Sequence, residues 1–295
     1  MKKILSLMAA TLVMASVSAI GLGCKENKTA APEQQKTEND GQEAAKQETA
    51  TPEAKADVAQ QAGIPAGARA LMDAYPDFIK GYSNNKILFT DGTEMTYDDG
   101  RQKSFVQKLD DADIEDMFAF KYDLNSWTPE FQQDAGRSRS EALFKKMYGN
   151  SAAAVRKHLV SVPWFGQNVL FTTVNGAAEH LKAVRDELAK HPELKAYFKS
   201  EGSFYWRQVR GANRQSAHSY GMTIDIGGNY KTYWLWAKPG AKETDKVPYK
   251  NKMPHEIVEI FEKHGFIWGG RWYHYDTMHF EYRPEILLME KYRDN

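Results

Sequence analysis

Residues 25–62 set the first limit on how this chain can fold. The stretch contains no aromatic residue and a single β-branched aliphatic residue, Val58, while Lys, Glu, Gln, Ala and Thr recur without a period. Such a segment cannot bury enough apolar surface to offset the chain entropy that is lost on folding. We expect a disordered tether, with fluctuating helix as the alternative. A packed core must then come from residues 63–295.

The first 24 residues are typical of an export signal. Met-Lys-Lys precedes an apolar run over residues 4–22, and small residues lead to Cys24. The pattern predicts a signal peptide that ends in a site resembling a bacterial lipoprotein processing site, with Cys24 as the lipidated residue and Gly21 where leucine is usual. An uncleaved anchor helix is the alternative, because about 20 apolar residues can span a bilayer. Both predict an exported protein anchored to a membrane, facing the periplasm or cell wall.

Charge and cysteine usage exclude several classes of protein. The chain has 39 basic and 39 acidic residues, so its net charge gives no general attraction to nucleic acid or anionic membrane. No basic stripe or RNA motif is present, and we expect no nucleic-acid partner. Cys24 is the only cysteine, which excludes an internal disulfide framework and zinc sites built on cysteine pairs. Any metal must therefore be bound by nitrogen and oxygen ligands.

The folded part divides into two regions by pattern. In residues 63–125, two β-rich runs flank Asp91-Gly92 and predict a hairpin, so this region is expected to form a small β-containing subdomain. Residues 126–295 mix helical and strand patterns, which predicts an α+β domain with helices packed on a mainly antiparallel sheet. The predicted helices are 140–148, 151–162, 175–191 with Asn175 as cap, and a last helix at 254–264; the predicted strands are 204–209, 222–226 and 277–282.

Two stretches near the C-terminus carry a candidate metal site. His218 is predicted to lie in a turn, and Asp225 on the strand that follows it. His279 is predicted on another strand, where Met278 and Phe280 would point to the opposite face. Two imidazoles and one carboxylate are a common open zinc set, in which the fourth position is left for water.

Asp276 lies three residues before His279 and is the candidate general base. A carboxylate at this place can reach a water at the metal without being a ligand, as hydrolysis requires. His274 is the alternative ligand, or else a core aromatic residue; we prefer His279 because Asp276 adjoins it. No Gly-x-Ser-x-Gly pattern or cysteine–histidine pair offers a competing nucleophile. The aromatic residues of 233–236 and Trp268 are expected in the core and pocket wall, with a stacking platform for sugar rings as the alternative.

These motifs resemble a known family. Ser216-x-His218-x-x-Gly221-x-x-x-Asp225, followed by Asp276-x-x-His279-Phe280, is similar to the zinc D-alanyl-D-alanine carboxypeptidases of VanY and VanX type. That family includes peptidoglycan endopeptidases and shares its fold with the hedgehog signalling domain. The resemblance covers residues 200–286, and more loosely residues from 125. It implies a hedgehog-like α+β fold, a Zn²⁺ ion held by His218, Asp225 and His279, and Asp276 as the general base.

The resemblance also implies an arginine, upstream of the first histidine, that stabilises the oxyanion. The candidates are Arg137 and Arg139; we prefer Arg139, and a salt bridge from it to Glu141 is the structural alternative. Arg214 and Ser216 are further candidates for the substrate pocket. Ser216 could instead hold the turn by bonding backbone amides.

The expected function is zinc-dependent hydrolysis of peptidoglycan stem peptides. Removal of the terminal D-alanine is the first expectation, and endopeptidase cleavage is the second. The resemblance implies an endopeptidase branch more than a dipeptidase branch, because the base is an aspartate. A zinc-containing module that binds cell wall or a partner without cutting is the alternative from another class. An adjacent base and an open fourth position favour the enzyme, since a structural zinc site needs neither.

Overall fold

A computed structural model of the chain describes residues 63–293. The predicted signal peptide, the lipidation site Cys24 and the predicted tether lie outside the described residues. Within 63–293, no helix has both the length and the apolar character needed to cross a membrane.

Helices and strands alternate along the described part of the chain. The α-helices are α1 (Ala66–Ala74), α2 (Phe105–Asp110), α3 (Glu141–Tyr148), α4 (Ala152–Arg156), α5 (Ala177–Leu188), α6 (Trp234–Ala237), α7 (His255–Lys263) and α8 (Pro284–Arg293). The strands are β1 (Ile79–Ser83), β2 (Lys86–Phe89), β3 (Glu94–Thr96), β4 (Leu159–Trp164), β5 (Gln167–Thr172), β6 (Ser200–Gly202), β7 (Thr223–Ile226), β8 (Phe266–Trp268) and β9 (His279–Tyr282). Short 3₁₀ helices include Glu115–Phe118, Val174–Gly176, Pro192–Tyr197, Ala217–Tyr220, Gly228–Tyr230 and Gly269–Arg271.

The first sheet contains the predicted hairpin. Strands β1, β2 and β3 pair in that order, and β2 is antiparallel to β3. In the turn, Gly92 has a φ of +83°, and a carboxylate oxygen of Asp91 accepts the backbone N–H of Thr93 at 3.0 Å. Helix α1 packs against α8, and the Tyr75 hydroxyl donates to Glu285 at 2.7 Å. The predicted division of the chain near residue 125 stays a prediction.

The four-stranded sheet positions the candidate metal ligands. Its strand order is β6-β7-β9-β8, and every neighbouring pair is antiparallel. Ile224 pairs with Phe280 across β7 and β9, and both side chains are fully buried. The next pair is Asp225 with His279, whose side chains leave the opposite face because side chains alternate along a strand. Helix α7 covers the core face, where Phe261 stacks on Phe280 with ring centroids 4.0 Å apart. The α+β prediction is confirmed in these elements.

Three predictions of local structure are wrong in part. The helix predicted over 151–162 ends at Arg156, and β4 follows, because Val162 and Trp164 are buried in a hairpin with β5. Asn175 does not cap a helix: its φ is +52°, and its side-chain amide donates to the Ala74 carbonyl at 2.8 Å. Helix α5 begins two residues later, at Ala177.

Two further corrections concern the C-terminal part. Residues 204–209 form no strand; they make one isolated bridge, between Gln208 and Gln215. The helix at His255–Lys263 is not the last one, because α8 follows β9. Helix α8 has no clear apolar stripe and buries Glu285 and Glu290 alongside Ile286, so its pattern does not indicate an amphipathic helix.

Candidate metal centre

His218 is oriented by the turn that carries it. It lies on the 3₁₀ helix Ala217–Tyr220, which ends at Gly221 with a φ of +68°. The Nδ1 atom lies 2.5 Å from the Ser203 carbonyl oxygen and 2.9 Å from the Thr223 hydroxyl. Because a carbonyl oxygen can only accept, Nδ1 carries a proton, and Nε2 is the ring nitrogen that remains for Asp225 or a metal. This Nε2 atom lies 3.2 Å from Oδ2 of Asp225.

His279 meets the same carboxylate from the neighbouring strand. Its Nδ1 lies 3.0 Å from Oδ1 of Asp225, while its Nε2 lies 2.9 Å from Oε1 of Glu281. Burial alone would lower the pKa of His279, but the hydrogen bonds to Asp225 and Glu281 raise that pKa to about 10. Burial would raise the pKa of Asp225, yet the charge of His218 and the hydrogen bonds from both histidines lower it. The two imidazoles and the carboxylate are therefore one electrostatic unit.

The geometry fits a zinc ion. One donor atom from each of His218, Asp225 and His279 lies within 4.8 Å of the other two. His218 is 6% exposed and His279 is 7% exposed, so the donors face a confined space. In each histidine, one ring nitrogen is hydrogen-bonded to an oxygen of Ser203 or Glu281, and the other ring nitrogen points to Asp225. Histidines that bind metals are commonly held in this way, by a hydrogen bond from the nitrogen that does not bind the metal. The structure brings together the three side chains that the sequence predicts as ligands.

The donor group opens into a cavity of about 630 Å³. Its wall contains the other predicted site residues: Arg137, Arg139, Arg214, Ser216 and Asp276. Met278 also lines it, so the prediction that Met278 points away from His279 is wrong, because residue 278 precedes the strand and lies in a turn. Phe280 does point to the core, as predicted.

Asp276 lies in this cavity without an ion-pair partner among residues 63–293. Its Oδ1 atom is buried and makes no hydrogen bond there. Burial and the nearby charge of Asp225 raise the pKa of Asp276 to about 6. A carboxylate with a raised pKa and a free oxygen suits the transfer of a proton near neutral pH. The geometry is consistent with the predicted role.

The two candidate arginines differ in their surroundings. Arg137 makes a bidentate pair with Glu243, at 2.9 and 2.6 Å, and contacts Asp134 at 2.9 Å. Arg139 donates to the Gly136 carbonyl at 2.9 Å and contacts Glu281 at 3.3 Å, so it lies beside the donor group. Burial lowers the pKa of Arg139 to about 10. No ion pair joins Arg139 to Glu141, whose carboxylate pairs with Lys145 instead.

Arg214 and Ser216, the remaining predicted pocket residues, line the wall of the cavity. Arg214 pairs with Asp110 and, at 3.2 Å, with Glu243. Ser216 precedes the 3₁₀ helix but its side chain makes no capping hydrogen bond, so the turn-holding alternative for its hydroxyl is wrong.

His274 is not part of the donor group. Its Nδ1 lies 2.6 Å from Oδ2 of the fully buried Asp134.

Trp234 and Trp268 are buried, and Trp236 is 58% exposed in the cavity wall, which confirms their expected places in core and pocket wall.

Glu281 is a site residue that the sequence interpretation missed. It accepts from His279, contacts Arg139 and lies 3.1 Å from Arg283. Burial would raise the pKa of Glu281, but the charge of Arg139 and the hydrogen bond from His279 lower it to about 2. Its position two residues after His279 on one strand is the signal that could have found it, since such residues share a face.

One comparison with known proteins gives a match. Residues 210–282 match the family described as D-alanyl-D-alanine carboxypeptidase. The matched span includes the three donor residues and Asp276, whereas Arg137 and Arg139 lie before it. A search of curated proteins gives no match to the chain.

Proposed function

We propose that this chain, whose residues 210–282 are a D-alanyl-D-alanine carboxypeptidase family domain, is a zinc-dependent peptidase that removes the terminal D-alanine from peptidoglycan stem peptides. The observation that carries the proposal is the convergence of His218, Asp225 and His279 on one point of a cavity that also holds Asp276. The family match supports a peptidase, and the donor set supports zinc.

His218, Asp225 and His279 would hold the zinc ion. When bound, zinc polarises a carbonyl and lowers the pKa of a water from about 15.7 to about 7. Asp276 takes up the proton of the attacking water at its free oxygen and returns it to the leaving amine. Arg139 donates to the oxyanion that develops on the scissile carbonyl, and its contact with Glu281 holds it beside the donor group.

Arg137 and Arg214 also line the cavity. Each is paired with carboxylates, and Glu243 joins the two. We expect these ion pairs to shape the pocket. The Ser216 hydroxyl makes no capping hydrogen bond, and we expect it to contact the substrate.

Endopeptidase cleavage is the second candidate. The cavity volume of about 630 Å³ lies in the range of pockets that enclose whole ligands of drug size, and exposed Arg207, Arg210 and Trp236 extend its wall. This space favours a peptide that continues on either side of the scissile bond. A purely structural zinc site has no use for Asp276, whose carboxylate keeps one oxygen without a partner among residues 63–293 and lies in the same cavity.

The proposal includes export and anchoring. The N-terminal signal pattern and Cys24 support a lipoprotein held at a membrane, where a long polar segment lets the peptidase domain reach an immobile polymer.

Mass spectrometry of muropeptides tests this function. Incubation with the zinc-loaded protein should remove one alanine residue from pentapeptide stems, a chelator should stop the loss, and added zinc should restore it. Cleavage within the stem or a cross-link would identify an endopeptidase instead. Unchanged masses in every condition, together with retained binding to peptidoglycan, would favour the non-catalytic module.

A further inference from the structure

Three residues that line the cavity carry buried polar atoms with no hydrogen-bond partner among the described residues. Trp272, His274 and Asp276 all line the cavity, while the residues between them, Tyr273 and Tyr275, pack in a separate cluster around Trp234 and Val247. The indole Nε1 of Trp272, Nε2 of His274 and Oδ1 of Asp276 are buried and have no hydrogen-bond partner among residues 63–293. Buried polar atoms without partners are rare in folded proteins, and these three belong to residues of the cavity wall, where a bound molecule could supply the missing bonds.

The carboxylate of Asp134 fixes the orientation of the His274 ring. Asp134 accepts the backbone N–H of His274 at 2.9 Å and lies 2.6 Å from its Nδ1. Arg137 also contacts Asp134 at 2.9 Å, which keeps this fully buried carboxylate ionised and therefore a pure acceptor. Nδ1 must then donate, and Nε2, on the side of the ring away from Asp134, is the nitrogen that remains for a bound molecule.

Trp272 offers the complementary group. Its indole N–H is a donor only, and its ring centroid lies 5.5 Å from that of His279. Trp272 therefore lies beside a proposed metal ligand, and the proposed base, Asp276, lines the same cavity. If Nε2 of His274 accepts, the two side chains offer one donor and one acceptor, which match the C=O and N–H of a single peptide group.

We propose that Trp272 and His274 form a subsite for the peptide group on the N-terminal side of the scissile bond. The Trp272 N–H donates to its carbonyl, and Nε2 of His274 accepts its N–H. The ligand class is therefore a peptide with a secondary amide at that position, and an ester there is a poorer substrate. This subsite rests on the proposed function, because the scissile bond is the one that Asp276 and Arg139 serve.

The first test uses the unaltered protein and two stem pentapeptides. One is all amide; in the other, an ester oxygen replaces the N–H between the third and fourth residues, so the scissile amide is the same. We expect the ester analogue to lower kcat/KM about 10-fold, mainly through KM, because one hydrogen bond that is made before and during the reaction is lost. A change of less than about 2-fold would overturn the subsite while leaving the proposed function intact.

Variants of the two side chains test which atom makes each of the two proposed hydrogen bonds. In His274→Phe the penalty for the ester should vanish, because the acceptor is gone; in Trp272→Phe both substrates should slow equally, because the ester keeps its carbonyl. Tyr275→Phe is the matched control: it removes a buried hydroxyl that has no hydrogen-bond partner among residues 63–293 and does not line the cavity, and both rates should stay unchanged. A full ester penalty in folded His274→Phe would contradict the assignment. If His274→Phe does not fold, the comparison in the unaltered protein and in Trp272→Phe still decides. If the amide peptide is neither cleaved nor bound, both the proposed function and the subsite fail.

Discussion

Oε1 of Glu281 lies 2.9 Å from Nε2 of His279 and 3.3 Å from Nη1 of Arg139. One buried carboxylate oxygen therefore orients a proposed zinc ligand and the proposed oxyanion donor together. Carboxylates that hold a ligating histidine in this way influence metal affinity as well as ring orientation.

Substitution of this carboxylate should weaken zinc binding. In Glu281→Gln, the charge that holds His279 is lost while the shape is kept, so we expect zinc affinity to fall about 10- to 100-fold. Competition with a chelator of known affinity measures this. Glu262→Gln is the matched control, because Glu262 is a largely buried carboxylate that pairs with Arg271 away from the cavity. Equal zinc affinity in Glu281→Gln and the unaltered protein would contradict the role of Glu281.

Zinc binding should release a proton. The metal-free protein raises the pKa of His279 to about 10, so this imidazole carries a proton at pH 7 and must lose it to bind zinc through Nδ1. Apparent affinity should therefore rise with pH, by about 10-fold per unit below the raised pKa when one proton is released. Calorimetry in buffers of different ionisation enthalpy counts the protons. Between pH 6 and pH 8 we expect zinc affinity to rise about 100-fold. A zinc affinity that does not change over this range would show that His279 binds without losing a proton.

Loss of the Asp276 carboxylate should separate metal binding from turnover. Asp276→Asn is expected to retain zinc, because Asp276 lies outside the donor group, and to lose about 10²- to 10⁴-fold in kcat. Metal analysis and stem-peptide hydrolysis on the same sample provide both readings. Near-normal turnover by a zinc-loaded Asp276→Asn protein would mean that another group takes the proton.

Arg139 should act on the reaction rather than on the fold of the metal centre. For Arg139→Gln we expect full zinc occupancy and a kcat about 10²- to 10³-fold lower, the range for removal of an oxyanion donor. Arg185→Gln, at a partly exposed helix position where the arginine pairs with Asp186, is the control and should match the unaltered protein. A loss confined to KM would indicate that Arg139 only binds the substrate.

Gly221 should be required for the turn that presents His218. A Cβ atom there would lie 2.4 Å from a side-chain carbon of Leu159, and the φ of +68° is unfavourable for other residues. Gly221→Ala should lower the free energy of unfolding by about 2–4 kcal/mol, strain and clash together. Gly240→Ala isolates the strain, because Gly240 has a φ of +80° with open space around it, and should cost about 1 kcal/mol. Equal urea midpoints for the two variants would exclude the clash.

The convergence of the candidate metal ligands was predictable because they lie in two short motifs with a recognisable spacing. His218, Asp225, Asp276 and His279 carry a recognisable spacing, and the pairing of β7 with β9 places two of them opposite each other. Asp134, Glu243 and Glu281 were not predicted, since their roles depend on contacts between distant segments. The tertiary pairing of Arg137 with Glu243, 106 positions later, has no local signal.

The errors in predicted secondary structure also arise from contacts between distant segments. Residues 157–162 continue a helical pattern, but the hairpin of β4 with β5 buries Val162 and Trp164 more effectively than a longer helix would. Asn175 has the usual chemistry of a helix cap, yet its amide is used by the carbonyl of Ala74 in another helix. Long-range contacts decide these positions, and a single sequence does not display them.

Zinc stoichiometry tests the central claim most directly. We would measure bound zinc per chain in the unaltered protein and in His218→Ala, Asp225→Ala and His279→Ala, each checked for folding by circular dichroism. The account predicts about one zinc ion per chain in the unaltered protein and a large loss in each folded variant. A folded protein that takes up no zinc, or variants that keep it fully, would contradict the metal centre.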